Sequence, residues 1–492
     1  MFIWMLLPIA IGIPIKKASI EQSRNNKKTH MKTSIYLLFV ALFIVLPGKA
    51  QDKETPPQGG EPKDFKLPSK EVVNYDNGLT LVMVPYGSIP KATITIILKT
   101  GNINETKEEV WLANLLSDLM KEGTTANYSV KDSLAGMGGN LNIGAGSHTT
   151  SLNTSVLSEF APQALKILSD VLVEPKLPQS EVERLKRDMN RNITVALSTP
   201  GAQARKDFFA EIYPNHPYGR LYPTTEQVNS YDLSNVKSFY DKNFGARRAT
   251  VYVVGKFDAV EVKAAVEKKL GNWRAGTDVD YPVAQPQSDG TVKLIDRPGA
   301  PQSTIYYGLP VVGPSSEDYI PLDVMNSLLG GSFGSRITSN IREDKGYTYS
   351  PNSALVANYK TGLWFQSADV TTEHTGASID EINKEIVRLQ NEAPGKEELQ
   401  GIKNYESGIY VLQNSTPGGI IGQLNFLDIH NLPESFLVDQ VKNINAVTPE
   451  QVQEMAKKYI QPGRMTLIVV GDEQKIKDQV KETVKKPEKI KQ

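Results

Sequence analysis

Two strand-like segments recur in the same order about 200 residues apart, which restricts the chain to folds built from two copies of one unit. PKATITIILKTG at 90–101 has its counterpart in PQSTIYYGLPVVG at 301–313, 211 positions on. RATVYVVG at 248–255 returns as RMTLIVVG at 464–471, 216 positions on. One apolar run can match another by chance, but two matches in order at nearly the same offset point to duplication.

Within the first copy, NGLTLVMVP and ATITIILKTG read as strands, and a helical stretch follows at 108–122. A strand pair is expected around GNLNIGAGSHTTSLNTSVL, then helices at 159–173 and 179–197, the second with apolar residues three and four apart. The fold class is therefore α+β: two homologous domains in tandem, each a mostly antiparallel sheet packed with helices. The domains are expected at 69–275 and 291–474, joined by the Pro- and Asp-containing connector 276–290. A Pro/Gly-rich, charged lead covers 51–68, and the sign-alternating stretch 475–492 reads as a charged, solvated helix end.

Composition removes several kinds of chemistry. The chain has no cysteine, which excludes thiol catalysis, disulfides and thiolate metal sites. Its 55 basic and 55 acidic residues balance, without the basic excess of a general nucleic-acid binder. Five histidines remain, His30, His148, His216, His374 and His430, and no two lie within five positions, so no compact two-histidine metal motif exists. Lone histidines of this kind read as structural, with His216 in an Asn-His-Pro-Tyr-Gly turn, His148 in a strand, and His374 and His430 isolated.

Residues 31–50 have the layout of a secretory signal peptide: Met31 and Lys32, an apolar run from Ile35 to Leu46, and Gly48-Lys49-Ala50 as a cleavage site. The run is short for a membrane span, which needs about 20 apolar residues, so no transmembrane span is expected after signal removal. Residues 1–30 read as an upstream extension of a chain whose start is Met31. Cleavage near Ala50 would leave 48 basic and 54 acidic residues, a formal charge of −6. Export without cysteine fits a bacterial periplasm.

NGLTLVMVP, GGNLNIGAGSHTTSLNTSVLSE, HPYGRLYPTTEQV and above all GGSFGSRITSNIREDKGYTYS give residues 70–474 a resemblance to a known family. The chain resembles the pitrilysin/insulinase-type metallopeptidases, including the mitochondrial processing peptidase and its bacterial relatives. That resemblance implies paired α+β domains closing as a clamshell over unfolded or short peptides. Active members are inverzincins, in which H-x-x-E-H on one helix and a further glutamate downstream hold zinc.

The matching segment here is WLANLLSDLMKEGT, 111–124. Asn114 stands at the first histidine, Ser117 at the general-base glutamate and Asp118 at the second histidine; the downstream glutamate position falls at about Asn192. Asparagine is a poor zinc ligand and serine no general base, so this chain is expected to hold no metal of its own.

The other half of the family's apparatus persists. Arg342 and Tyr349, seven apart around Gly346, match the Arg/Tyr pair that the resemblance places in substrate binding opposite the zinc. A fixed guanidinium and a phenol can donate to a peptide carbonyl or to the oxyanion formed from it. The competing reading pairs Arg342 with Glu343 or Asp344 and sinks Tyr349 into the core. Gly330, Gly331, Ser332, Phe333 and Gly334 resemble the family's glycine-rich segment near the substrate entrance, although a turn leading into a helix explains them equally well.

The expectation is a non-zinc-binding subunit of a heterodimeric peptidase. A homologous partner with intact H-x-x-E-H would carry the zinc, and extended peptide would be the substrate. The alternative is a catalytically inactive scaffold or peptide-binding protein of an envelope complex.

Overall fold

The computed structural model describes residues 66–484. The signal sequence expected at 31–50 and the extension before it lie outside the described residues, as does most of the lead 51–68.

The first half contains β1 (Glu71–Asn74), β2 (Thr80–Pro85), β3 (Lys91–Leu98), helix α1 (Leu112–Met120), β4 (Asn142–Ala145) and β5 (Thr150–Leu157). Helices α2 (Ala161–Val173), α3 (Gln179–Leu197) and α4 (Pro200–Ile212) follow, then β6 (Ala249–Gly255) and α5 (Ala259–Leu270). The second half contains β7 (Val292–Asp296), β8 (Gln302–Val311), α6 (Tyr319–Asn326), β9 (Asn352–Asn358) and β10 (Thr361–Thr371). It continues with α7 (Thr375–Asn391), α8 (Lys396–Gln413), α9 (Pro417–His430), α10 (Pro449–Tyr459), β11 (Thr466–Gly471) and α11 (Glu473–Val484).

The first sheet runs β1-β2-β6-β3-β5-β4 and the second β7-β11-β8-β10-β9. Apart from the extra edge strand β1, the two orders correspond strand for strand. Each has one parallel pair, β2 with β6 and β7 with β11, among antiparallel neighbours. The mixed α+β architecture and its duplication are thus as the repeated segments indicated.

The repeated strand β6/β11 is apolar along its length, rather than alternating, because both its faces are covered. Val251 and Val253 enter the core of the first half, while Tyr252 and Val254 face the other way, where Ile420, Ile421 and Leu424 of α9 pack on them. In the second half, Leu467 and Val469 enter that half's core, while Ile468 and Val470 meet Ala204, Phe208, Phe209 and Ile212 of α4. Each half therefore lends one helix to the outer face of the other's sheet. Fully buried strands read as continuous apolar runs for this reason.

The two exchanged helices begin alike. Ser198-Thr199-Pro200-Gly201 opens α4 and Ser415-Thr416-Pro417-Gly418 opens α9, 217 positions apart. The Thr199 hydroxyl accepts from the amide of Ala202, and the Thr416 hydroxyl accepts from that of Gly419, with proline at the first helical position in both. This is an efficient helix start, because it satisfies one orphan N–H and presets the first φ.

Two other expectations need refinement. The connector 276–290 is stapled down: Tyr281 and Ala284 are buried, the Tyr281 hydroxyl donates to the His148 carbonyl at 2.6 Å, and the Gln287 amide donates to Ile212 O at 3.0 Å. The charged stretch from 475 is no free tail over its described part, since α11 runs across the boundary at 474. Ile476 and Val480 of α11 are buried in the second core, so its alternating charges mark only the solvated face.

Candidate functional site

Helix α1 carries the degenerate motif. Its amide end is capped by a residue the sequence reading passed over, Glu105, which is buried. The Glu105 carboxylate accepts from the amides of Trp111 (2.9 Å) and Ala113 (2.9 Å) and from Asn102 Nδ2 (3.0 Å). Burial pushes its pKa up to about 7 against the opposing pull of those donors. Trp111, just ahead of the helix, sits at φ 66° in the left-handed region, a strained conformation for a bulky residue.

The three motif positions on α1 are turned to local hydrogen bonds and an ion pair. Asn114 accepts from Asn102 Nδ2 at 2.8 Å. Ser117 is buried and donates back to the Ala113 carbonyl at 2.8 Å, as a serine inside a helix does. Asp118 pairs with Lys121 at 2.6 Å on the surface, and Asn192 is exposed on α3. Among the described residues no group of three or more His, Asp or Glu side chains is arranged to hold a metal ion. Two amides, a hydroxyl and a lysine-paired carboxylate do not fit zinc, which takes imidazole, thiolate or carboxylate in tetrahedral sets.

The second constellation is assembled. Between α6 and β9 the chain makes two π-helical segments, Ser327–Gly331 and Ser339–Asp344. Such segments cluster at functional sites because they re-aim side chains within a helix. The second ends at Gly346, whose φ of 66° is the left-handed stop that reverses the chain toward Tyr349. As a result the Arg342 guanidinium lies 4.5 Å from the Phe333 ring centroid and 4.8 Å from that of Tyr349.

Both rings face solvent, Phe333 at 69% exposure and Tyr349 at 81%. Tyr349 therefore does not fill the core. Arg342 does touch Glu343, with Nε 3.2 Å from Oε1, so the carboxylate pairing weighed from sequence is present alongside the aromatic contacts.

The segment is held from below. Arg336 forms a two-pronged bond to Glu398 at 2.7 and 2.8 Å, and Asn340 Nδ2 donates to Glu381 (2.8 Å) and Glu385 (2.7 Å) on α7. Gly330 and Gly331 serve packing: a Cβ on Gly330 would fall 2.5 Å from Ser353 Oγ, and one on Gly331 would fall 2.6 Å from Asn326 Nδ2. Ser332 is buried, whereas Gly334 stands in open space.

Three histidines that sequence spacing left apart converge where the halves meet, which corrects the reading of His430 as isolated and of His148 as strand-borne, while His216 lies in the turn expected for it. His148 lies in the β4–β5 loop, its ring centroid 6.4 Å from that of His430 at the end of α9. His148 Nε2 is 2.6 Å from the Tyr218 hydroxyl, and that oxygen accepts from the Tyr359 amide of the second half. The Tyr218 proton is then free to go to a neutral imidazole. His216 Nε2 bonds the Pro282 carbonyl at 3.0 Å, while His374 stacks on Tyr347 elsewhere.

Burial pushes the pKa of both His148 and His430 down to about 4, with His430 and His216 adding to the effect on His148. Neutral when folded and free to protonate below about 6.5 when unfolded, they contribute stability above that pH and lose it as pH falls toward 4. Buried carboxyls such as Glu105 act in the opposite sense, so a variant isolates the imidazole term. In urea unfolding, His430→Phe is expected to lose about 1–2 kcal/mol less than the parent chain between pH 7 and pH 5. Equal losses would show that the imidazole titrates normally.

Residues 82–224 match the family model described as insulinase (peptidase family M16), and residues 230–405 and 446–491 match that described as peptidase M16 inactive domain. The chain belongs to the M16 peptidase family. A zinc protease named YmxG from Bacillus subtilis, itself uncharacterised, is 22% identical over 390 residues, covering 78% of this M16 chain and 93% of the relative. The Helicobacter pylori relative, named a non-peptidase homolog YmxG, is 22% identical over 397 residues, covering 79% and 91%.

Among solved structures, a peptidase M16 inactive domain from Pseudomonas fluorescens superposes with a TM-score of 0.75 at 20% identity, over 82% of this chain and 98% of that one. A protease from Helicobacter pylori gives 0.76 at 18%, over 82% and 100%. At these identities the likeness establishes the fold. This M16 homologue has the family's architecture and none of its inverzincin ligands at the matching positions.

Proposed function

We propose that this chain is the non-zinc-binding subunit of a two-chain metallopeptidase, supplying Arg342 and Tyr349 to peptide bound against a homologous partner. The partner carries an intact H-x-x-E-H and the zinc. One observation carries the reading: the motif helix has been turned over to self-contained hydrogen bonds, while Phe333 and Tyr349 face solvent and hold the partly buried Arg342 guanidinium between them. A partly buried cation between two exposed rings can dock an extended backbone by donating to its carbonyls and through aromatic contact. In this reading the chain is exported after cleavage near Ala50.

Co-purification with a homologue bearing H-x-x-E-H, followed by hydrolysis of a quenched fluorescent peptide, tests this directly. Turnover should require both chains. Equal turnover by the homologue alone would replace the proposal with an inactive scaffold or peptide-binding role, which is what the name of the Helicobacter relative favours.

A further inference from the structure

In the second half, α6, α8, α9 and the short helices Ser435–Val438 and Gln440–Ala446 line a half-open pocket of about 320 Å³ that does not include Arg342, at the lower end of the range for small-ligand pockets. Two carboxylates line it, Asp323 and Glu406, with no lysine, arginine or histidine among the lining residues. Glu406 accepts from the Ser327 hydroxyl, whereas Asp323 makes no hydrogen bond or ion pair among the described residues. Gln440 Oε1, also at the cavity, is a buried acceptor with no donor. The remaining wall combines the amides of Gln413 and Gln423 with aliphatic and aromatic side chains: the Phe426 and Phe436 rings lie 5.9 Å apart at 33°, and the Tyr410 hydroxyl donates to the Leu437 carbonyl at 2.7 Å.

A pocket whose wall holds two carboxylates and an undonated amide oxygen, and no positively charged residue, is incomplete as it stands. Burial and the neighbouring Glu406 push Asp323 up to about 7, so near neutrality it holds a proton part of the time in place of a counter-ion. A bare divalent ion would leave most of the volume empty and the aromatic wall unused, and hard cations want six or more oxygens. An ammonium or guanidinium group on an aliphatic stem uses every feature: charge-assisted bonds to the carboxylates, a donor for Gln440, and rings against the stem and cation.

We propose that the Asp323–Glu406 cavity binds an organic cation, an alkylammonium or guanidinium group, supplied as a free amine or as a basic side chain of a peptide. This goes beyond the peptidase reading and does not depend on it.

Calorimetry on the full chain with 1,5-diaminopentane, with 1,5-pentanediol as the neutral isostere, is the test. The diamine should bind one per chain, and the diol at least about 10-fold more weakly. Asp323→Asn and Glu406→Gln should each lower diamine affinity by about 10- to 100-fold, the worth of a charge-assisted bond.

Because binding of a cation displaces the proton held on Asp323, affinity should rise from pH 6 to pH 8, with proton release seen as buffer-dependent heat. That readout uses the unaltered chain and so survives any failure of a variant to fold. A lysine-containing peptide tested beside its norleucine counterpart distinguishes the sources. Peptide binding that requires lysine, with no diamine binding, assigns the cavity to a side chain; diamine binding assigns it to a free amine. Equal binding of diamine and diol, diamine affinity unchanged in both variants, or no binding of diamine and lysine peptide alike would overturn the proposal.

Discussion

Replacing Arg342 with alanine is expected to lower kcat/KM of the proposed two-chain peptidase by about 100- to 1000-fold, the loss seen when one preorganised oxyanion donor is removed. The expectation follows from how the guanidinium is held. Phe333 and Tyr349 contact it on their ring faces, and the segment beneath is pinned by Arg336–Glu398 and by Asn340 on α7. Arg342 is therefore preorganised and does not have to be ordered on binding. Lysine should not rescue it, because a point ammonium lacks the planar face that stacks and the fork that donates twice. Zinc content of the partner and assembly of the two chains should be unchanged, which separates loss of a substrate contact from loss of the subunit. Unaltered peptide turnover by the Arg342→Ala complex would assign the aromatic–arginine cluster to some other surface role.

The largest effect on stability is expected at Phe208. Its ring is buried, with centroids 5.8 Å from both Tyr306 and Phe365 of the second sheet, although its helix belongs by sequence to the first half. Truncation to alanine removes a buried aromatic and leaves a cavity between structural units that cannot easily collapse, at a cost of about 3–5 kcal/mol. Because α4 and α9 are exchanged, the halves should unfold together in the parent chain. In Phe208→Ala, a separate, earlier transition of the second half should emerge in urea unfolding, seen as non-coincident curves by tryptophan fluorescence and far-ultraviolet circular dichroism. Two transitions in the parent chain would contradict the account of the exchanged helices, as would a loss well under 1 kcal/mol in the variant.

Much of this architecture can be read along the chain because it is local and periodic. The helix expected at 179–197 is found at Gln179–Leu197, and the paired segments at 90 and 301 are the equivalent strands β3 and β8. The degenerate motif is legible because absence of ligands requires no geometry. The exchanged helices left a trace in the repeated Ser-Thr-Pro-Gly starts, yet nothing in that tetrapeptide says which sheet its helix will cover. Glu105 caps a helix starting seven residues later, and proximity in sequence does not mark a carboxylate as buried. His148 and His430 are 282 positions apart, and Asp323 and Glu406 are 83 apart, so those groupings exist only once the chain is folded. Gly330 and Gly331 show the converse limit: in sequence they read equally as a substrate-gripping segment or as a turn into a helix, and the fold uses their missing side chains to bring the backbone against Ser353 and Asn326.

The central claim is that helix α1 no longer builds a metal centre, so any peptide cleavage draws its zinc from another chain. The direct measurement is metal content and peptide turnover of this chain purified alone after equilibration with zinc and removal of loosely bound ion. The account predicts far less than one zinc per chain and no turnover. Stoichiometric, tightly held zinc with turnover abolished by Asn114→Ala or Asp118→Ala would contradict it.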